Sequence, residues 1–394
     1  MGLVIGTRPE AIKLAPVAAA LARADAPPSL YLTGQHPGLD RADHDLGRFA
    51  AVTLGCIGRS DPLDHVDEVA AELERCWRRD PPELVMVQGD TSSALGGARA
   101  AQRCGLPVAH VEAGLRTFDP RSPWPEEQFR TEIDRGAALL FAPTATAAAN
   151  LRRERCTGAL HVTGNSGIDA MMAQLANLPR TRRRARRHPL KLLVTCHRRE
   201  NWGSGLSSLA SALVTLARRG DAAITIVLHP NPHVAEAMWS LLGAERAIRL
   251  ITPLGHASMI EAMRAADLIL SDSGGVQEEA PGLGVPLLVL REKTERPECI
   301  ASGNALLVGT DAERLIAAVT RLLGDPAALA AMAVPRFPFG DGHAAPRIVA
   351  LALAWLDSRR EDERGASADR LIDRERGLQH RAPAPPARYD GPFV

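Results

Sequence analysis

Cysteine is sparse and carries no pattern: Cys56, Cys76, Cys104, Cys156, Cys196 and Cys299 are scattered, without a C-x-x-C pair or a His/Cys set at zinc spacing. A disulfide framework and a bound metal are therefore not indicated, and the thiols fit a reducing compartment. Net charge is nearly absent too. Forty-seven basic against 46 acidic side chains leave +1, so no broad attraction to nucleic acid or to an acidic membrane is expected and binding has to be local. The chain has no apolar run of the roughly 18 or more residues that a spanning helix needs. It also enters Leu3-Val4-Ile5 without a basic-then-apolar leader, which makes the cytoplasm the expected location. There is no Walker-type lysine loop, and no G-x-G-x-x-G after the first apolar run. ATP and NAD are accordingly not expected, and no cofactor is.

What is present is rhythm. Short Val/Leu/Ile runs alternate with longer helical patterns: Leu3 to Ile5, Leu30 to Leu32, Leu84 to Val87, Val108 to Val111, Leu139 to Phe141 and Val162. After a basic stretch from Arg180 to His188, read as a solvated connection, the rhythm restarts. Its runs are Leu192 to Val194, Ile224 to Leu228, Arg249 to Ile251, Leu268 to Leu270, Leu287 to Leu290 and Leu306 to Val308. Alternating βαβ units predict an α/β fold of two Rossmann-like doubly wound domains, residues 1–168 and 169–343, in a chain of 394 residues too long for one core. A helix is expected over about 344–357. From Arg359 the chain turns charged and then Pro/Ala-rich, and 359–394 reads as a disordered tail.

In open α/β sheets ligands sit beyond the carboxyl ends of the strands, so the residues that follow each run matter most. They are uniformly polar. Gly6-Thr7-Arg8-Pro9-Glu10 and Lys13 follow the first run, Gln88-Gly89-Asp90-Thr91 the third, and Glu112-Ala113-Gly114-Leu115-Arg116 the fourth. In the second half come Thr195-Cys196-His197-Arg198-Arg199-Glu200-Asn201, His229-Pro230-Asn231 and Ser271-Asp272-Ser273-Gly274-Gly275-Val276-Gln277-Glu278-Glu279. The last reads as an anion cradle: Gly274 and Gly275 let the backbone turn tightly, a helix starts with its N–H groups outward, and a diphosphate fits there. Glu278 and Glu279 are placed in that helix's first turn, within reach of ribose hydroxyls. Arg296 lies one strand further on as a phosphate clamp.

Plainer readings stand beside these. Gly6-Thr7-Arg8-Pro9 could be a turn with Pro at the first helical position, Asp90 a cap of a helix beginning at Thr91, and Glu126 and Glu127 ordinary first-turn acids. His229 and His256 are ambiguous. Glu112 ends an apolar strand, where burial perturbs a carboxylate, and His197 ends another beside arginines with no apolar face to bury it. Asp90, Glu112 and Glu126 from one half, opposite a His/Arg/Gly-Gly cluster from the other, suit proton transfer at a sugar carbon beside a held diphosphate.

Taken in order, several motifs resemble the non-hydrolysing bacterial UDP-N-acetylglucosamine 2-epimerases over roughly residues 2 to 350. They are Gly6-Thr7-Arg8-Pro9-Glu10-Ala11-Ile12-Lys13, Thr33-Gly34-Gln35-His36, Gly89-Asp90-Thr91, His110-Val111-Glu112-Ala113-Gly114-Leu115-Arg116-Thr117, Pro123-Trp124-Pro125-Glu126-Glu127, Thr163-Gly164-Asn165, His197-Arg198-Arg199-Glu200-Asn201 and Ser271 to Pro281. The resemblance implies a fold of the glycosyltransferase-B type with the site in the cleft between the domains, a C-terminal helix crossing back to the first domain, and a homodimer. It assigns Arg8, Lys13, Ser273, Gly274, Gly275, Glu279 and Arg296 to UDP, places His197 near the diphosphate, and makes Asp90, Glu112 and Glu126 the proton-transfer candidates. It further implies elimination of UDP to 2-acetamidoglucal and re-addition to give UDP-N-acetylmannosamine. A second, activating UDP-N-acetylglucosamine would touch Gln35, His36, Arg59, Arg198 and His229. The sequence departs from the pattern at Gln88, Cys196 and Ser166-Gly167, and more strongly over 49–64. A hydrolysing epimerase, a glycosyltransferase and a non-catalytic sensor are the competing readings; the Gly-Thr-Arg-Pro-Glu opening argues against the first and the three acids against the second.

Overall fold

The structure, a computed structural model, describes residues 1–39, 41, 44–179, 189–196 and 202–379. Met1–Val349 forms one compact unit and Ala350–Val394 a second. Along the chain the elements run β1 (Gly2–Ile5), α1 (Arg8–Arg23), β2 (Ser29–Leu32), β3 (Ala51–Thr53), α2 (Pro62–Trp77), β4 (Val85–Gln88), α3 (Ser92–Arg103), β5 (Val108–Val111), α4 (Glu126–Gly136), β6 (Leu139–Ala142), α5 (Ala145–Arg153), β7 (Ala159–Val162) and α6 (Ser166–Asn177). They continue with β8 (Leu190–Thr195), α7 (Ser204–Arg218), β9 (Ala222–Val227), α8 (Pro232–Leu242), β10 (Ile248–Ile251), α9 (His256–Ala265), β11 (Leu268–Ser271), α10 (Gly274–Leu283), β12 (Leu287–Val289), α11 (Pro297–Ala301), β13 (Ala305–Leu307), α12 (Ala312–Gly324), α13 (Pro326–Met332) and α14 (Ala344–Gln379).

Among the described residues all strands pair in parallel, in two sheets of order β3-β2-β1-β4-β5-β6-β7 and β10-β9-β8-β11-β12-β13. The expected α/β class with two doubly wound sheets is what the chain adopts. Parallel strands covered by helices on both faces read as continuous apolar runs, and β1, β4, β5 and β6 are accordingly buried at every position. On one face of the first sheet Val4, Val85, Val87 and Leu140 pack against Val66, Val69 and Leu73 of α2 and Ala94 and Ala98 of α3. The second sheet sets Leu192, Val194, Ile224 and Leu270 against Leu209, Leu213 and Leu216 of α7 and Leu315 and Val319 of α12. Helix α6 follows the last strand of the first sheet, yet its Ile168 and Met171 pack with Ile260 and Met263 of α9 and Val276 and Ala280 of α10.

Each sheet reverses its strand order once, between β1 and β4 and between β8 and β11. The crevice beyond such a reversal is where a doubly wound sheet admits a ligand. Side chains brace both points. Thr91 Oγ1 donates to Glu10 Oε1 at 2.6 Å across the first, and the hydroxyls of Thr195 and Ser271 lie 2.6 Å apart across the second.

Helix α14 extends to Gln379, well past the helix end expected near 357 and into the segment read as a disordered tail. Charge spacing that reads as solvated coil also suits a helix face: Arg359 pairs with Glu363 and Arg360 with Asp357, at i,i+4 and i,i+3. Residues 380–394 of that tail lie outside the described residues.

Candidate active site

A cavity of about 670 Å³ opens where the two sheets' carboxyl ends face each other, bringing together groups from both halves of the sequence. Arg8, Lys13, Asp90, Glu112 and Glu126 line it from the first sheet's side. Ser273, Gly274, Gly275, Glu278, Glu279 and Arg296 line it from the second's. His197 and Arg198 lie outside the described residues.

The first turn is built by its own sequence. Thr7 caps α1, accepting from the Glu10 backbone N–H, while the Glu10 carboxylate accepts from the backbone N–H of Gly6 (2.8 Å) and Thr7 (2.6 Å). Thr-x-x-Glu is a capping box. Burial pushes the Glu10 carboxyl above its ordinary value against these hydrogen bonds, and Pro9 is the second residue of the helix, one place later than the plain reading has it. The two readings are compatible: the cap aims Arg8 and, one turn on, Lys13 into the cleft. Arg8 Nη2 reaches Leu254 O at 2.6 Å on the second sheet's side.

Glu112 directly follows β5 with φ +73, a left-handed conformation that costs a non-glycine residue energy. Its carboxylate accepts from Gln88 Nε2 (3.1 Å) and Arg296 Nη2 (3.2 Å), and makes a short ion pair with Lys13. Burial drives its pKa up against the pull of Lys13 and Arg296, with the neighbouring charge of Glu278 pushing the same way. Gln88, which departs from the family pattern, thus keeps contact with the acid.

Asp90 is not a helix cap. Helix α3 begins at Ser92 and Thr91 caps it, accepting from Ala94 N at 3.0 Å. Freed of that task, Asp90 pairs with Arg130, whose Nε lies 2.9 Å from Oδ2. Glu126 and Glu127 do occupy the first turn of α4, and they divide: Glu126 lines the cavity, while Glu127 Oε1 accepts from the backbone N–H of Thr117 (3.0 Å) and Phe118 (2.8 Å).

On the opposite wall the cradle differs in detail from the sequence reading. Gly274 and Gly275 are the first residues of α10, Ser273 holds the N-cap position without a side-chain capping hydrogen bond, and neither glycine takes a positive φ. The need for Gly274 is steric: a Cβ there would lie 2.7 Å from Arg296 Cζ and 2.8 Å from both terminal nitrogens. The guanidinium rests against the helix N-terminus, where unpaired N–H groups and the helix dipole favour an anion. Glu278 and Glu279 fall in the second turn of α10, not the first, because the helix starts at Gly274. Glu278 points inward, accepting from Arg296 Nε at 2.6 Å and lying 2.9 Å from Lys13 Nζ. Burial alone would raise its pKa, but Lys13 and Arg296 outweigh it and hold the carboxyl below its ordinary value. Glu279 accepts from His256 Nε2 at 2.7 Å, which settles the ambiguous His256 as a cavity residue.

Of the remaining candidates, Gln35 and His36 line the cavity; Gln35 Oε1 accepts from the Ser93 hydroxyl at 2.6 Å. Burial lowers the His36 pKa, with Arg8 acting the same way. Arg59 is instead exposed and paired with Glu68 at 2.7 Å, and His229 Nδ1 accepts from Asn231 N at 2.9 Å; neither lines the cavity. Sequence reasoning missed Arg130 as a site residue. The signal available was spacing, since it follows Glu126 by four residues and Glu127 by three, the intervals at which helix side chains meet. Among the described residues no group of three or more His, Cys, Asp or Glu is placed to hold a metal ion.

Two parallel sheets that bring carboxylates and a helix N-terminus to one cleft define a two-lobed α/β enzyme of the glycosyltransferase-B type. A family model described as UDP-N-acetylglucosamine 2-epimerase matches residues 19–353. The UDP-N-acetylglucosamine 2-epimerase of Escherichia coli (strain K12) is 39% identical over 363 residues, covering 88% of this chain and 96% of the relative. The structure is similar to that of the UDP-GlcNAc 2-epimerase from Neisseria meningitidis bound to UDP-GlcNAc, with TM-score 0.82 and 34% identity over 90% of this chain and 100% of that one. It is also similar to the Methanocaldococcus jannaschii UDP-GlcNAc 2-epimerase in complex with UDP-GlcNAc and UDP, with TM-score 0.79 and 32% identity over 90% of this chain and 99% of that one. The chain belongs to the UDP-N-acetylglucosamine 2-epimerase family.

Proposed function

We propose that the protein interconverts UDP-N-acetylglucosamine and UDP-N-acetylmannosamine without hydrolysis, through elimination and re-addition of UDP. The observation that carries this reading is the single cavity with Asp90, Glu112 and Glu126 on one wall and the α10 N-terminus with Arg296 on the other. The C2 hydrogen of the sugar is not strongly acidic. As the C1–O bond breaks and its electron pair leaves with UDP, positive character at C1 makes that hydrogen labile; the C2–H electron pair then forms the C1=C2 bond of 2-acetamidoglucal and the proton passes to a carboxylate. Return of a proton to the opposite face of C2, with UDP re-adding at C1, completes the inversion. Groups that stabilise the departing diphosphate therefore act in catalysis and not in binding alone. The reading gives that role to Ser273, Gly274, Gly275 and Arg296, with Lys13 beside them, and the ribose to Glu279; that all of these line one cavity supports it. Substrate and product share one oxidation level, so the reaction as proposed uses no redox cofactor.

Gln35 and His36 lie in the same cavity, which supports their proposed contact with an activating second sugar nucleotide; the exposed position of Arg59 gives no such support. The same reading divides the lobes at residues 168 and 169 and takes the working form to be a cytoplasmic homodimer. Incubation with UDP-N-acetylglucosamine in deuterated water tests the chemistry. Deuterium at C2 of both nucleotide sugars is expected; epimerised product that keeps its original hydrogen rejects the mechanism. Accumulation of free N-acetylmannosamine in place of its UDP ester identifies a hydrolysing enzyme instead.

A further inference from the structure

Arg130 stands behind the acids of the cleft. It lies on α4 and is 2% exposed, so its charge is almost wholly removed from water. A cation buried to this degree has to be paired, and the pairing is specific. Its Nε and Nη2 both contact one oxygen of Asp90, Oδ2, while Nη1 donates to Glu127 Oε2 at 2.7 Å. Glu127 in turn holds the backbone N–H groups of Thr117 and Phe118. One guanidinium therefore joins the turn after β4, the loop after β5 and the start of α4, the three segments that carry Asp90, Glu112 and Glu126. Asp90 is not drawn out of the cleft by this contact, since 25% of its side chain stays exposed and it lines the cavity.

We propose that Arg130 is a positioning residue for Asp90, fixing Oδ2 at the cavity wall so that the carboxylate meets the sugar ring in one orientation. The inference rests on the reading of Asp90 as a proton-transfer group. A lysine in the same place presents a single point charge and cannot grip one oxygen through two N–H groups while holding Glu127 with a third. It keeps the buried charge, however, which makes Arg130→Lys a milder change than Arg130→Met.

The test compares Arg130→Lys, Asp90→Asn and the double variant in the full chain, with UDP binding measured alongside turnover. Arg130→Lys is expected to lower kcat by about a hundredfold, as misplacement of a reacting group by an ångström does. KM and the Kd for UDP should stay within about threefold, or ~0.7 kcal/mol, because the partners of Arg130, Asp90 and Glu127, are not among the residues assigned to UDP. The double variant is expected to be no slower than Asp90→Asn alone, since residues acting as a unit do not add. Multiplying losses in the double variant, an unchanged kcat in Arg130→Lys, or a loss confined to KM and UDP affinity each overturn the proposal. Wild-type protein that leaves C2 unexchanged in deuterated water overturns the catalytic reading of Asp90, and the positioning role with it.

Discussion

Lys13 on α1 and Glu278 on α10 meet across the cleft, with Nζ 2.9 Å from Oε2 and both side chains buried. Burial works against the charge on Lys13, but Glu112 and then Glu278 outweigh it and hold its pKa above the ordinary value. Arg296 completes the group, pairing with Glu278, Glu112 and Glu295. Lysine and arginine thus share their carboxylates, and the two sheets are joined at the point where the proposed diphosphate binds.

Removal of one partner from a buried set leaves charge unmatched, which costs about 3–5 kcal/mol. Glu278→Gln is expected to lower stability by that amount, because Lys13 and Arg296 then share less negative charge. The urea midpoint measures it, provided the slope of the transition is unchanged. A midpoint equal to that of the wild type would show that this buried set does not stabilise the fold.

Glu112→Gln keeps the side chain's shape but only one acceptor oxygen, enough for Gln88 or Arg296 and not both, since these donate to different carboxylate oxygens; it removes the proton-transfer group. Turnover should fall by at least about a hundredfold, the usual scale for a lost acid or base, while UDP still binds. Near-normal kcat would remove Glu112 from the mechanism.

Much of this site is legible in the chain. Parallel strands announce themselves as apolar runs, and in a doubly wound sheet whatever follows such a run lies near the ligand, so Lys13, Asp90, Glu112 and Arg296 could be named before any coordinates. Three kinds of detail were hidden. Helix phase was one: a start at Gly274 rather than further on moves Glu278 into the buried ionic set and Glu279 onto His256. Short edge strands were another; β3 is exposed at every position and carries no apolar run. The third is partnership. Asp-Thr before a helix suits either residue as the cap, and only the position of Arg130 on α4 shows that Thr91 caps while Asp90 pairs.

Gly274 offers a steric test. With a Cβ 2.7 Å from Arg296 Cζ, Gly274→Ala forces the guanidinium off the N-terminus of α10. The backbone there is ordinary helix, so alanine brings no conformational penalty of its own and the effect reports the displaced arginine. UDP affinity should fall about tenfold, or ~1.4 kcal/mol, as measured by titration calorimetry. Unchanged affinity would show that Arg296 does not hold the diphosphate from that position.

Asp134 links stability to pH. Its buried carboxylate accepts from His110 Nδ1 (2.6 Å) and Gly114 N (3.1 Å) and pairs with Arg116 at 2.7 Å, while His110 Nε2 holds Gly89 O at 2.8 Å beside Asp90. Burial would raise its pKa, but His110 and Arg116 outweigh it and hold the group below its ordinary value of 3.8. A carboxyl with a depressed pKa in the folded state contributes stability that is full above the unfolded value and is lost as pH falls through the folded one. The wild-type urea midpoint should therefore decline as pH drops below about 4. Asp134→Asn should be less stable at neutral pH by about 3 kcal/mol or more, with a shallower decline in acid, so that the two curves converge. Curves that stay parallel down to the acid limit would assign the acid sensitivity to other carboxylates and leave the His110–Asp134–Arg116 set with a purely geometric role at the turn bearing Asp90.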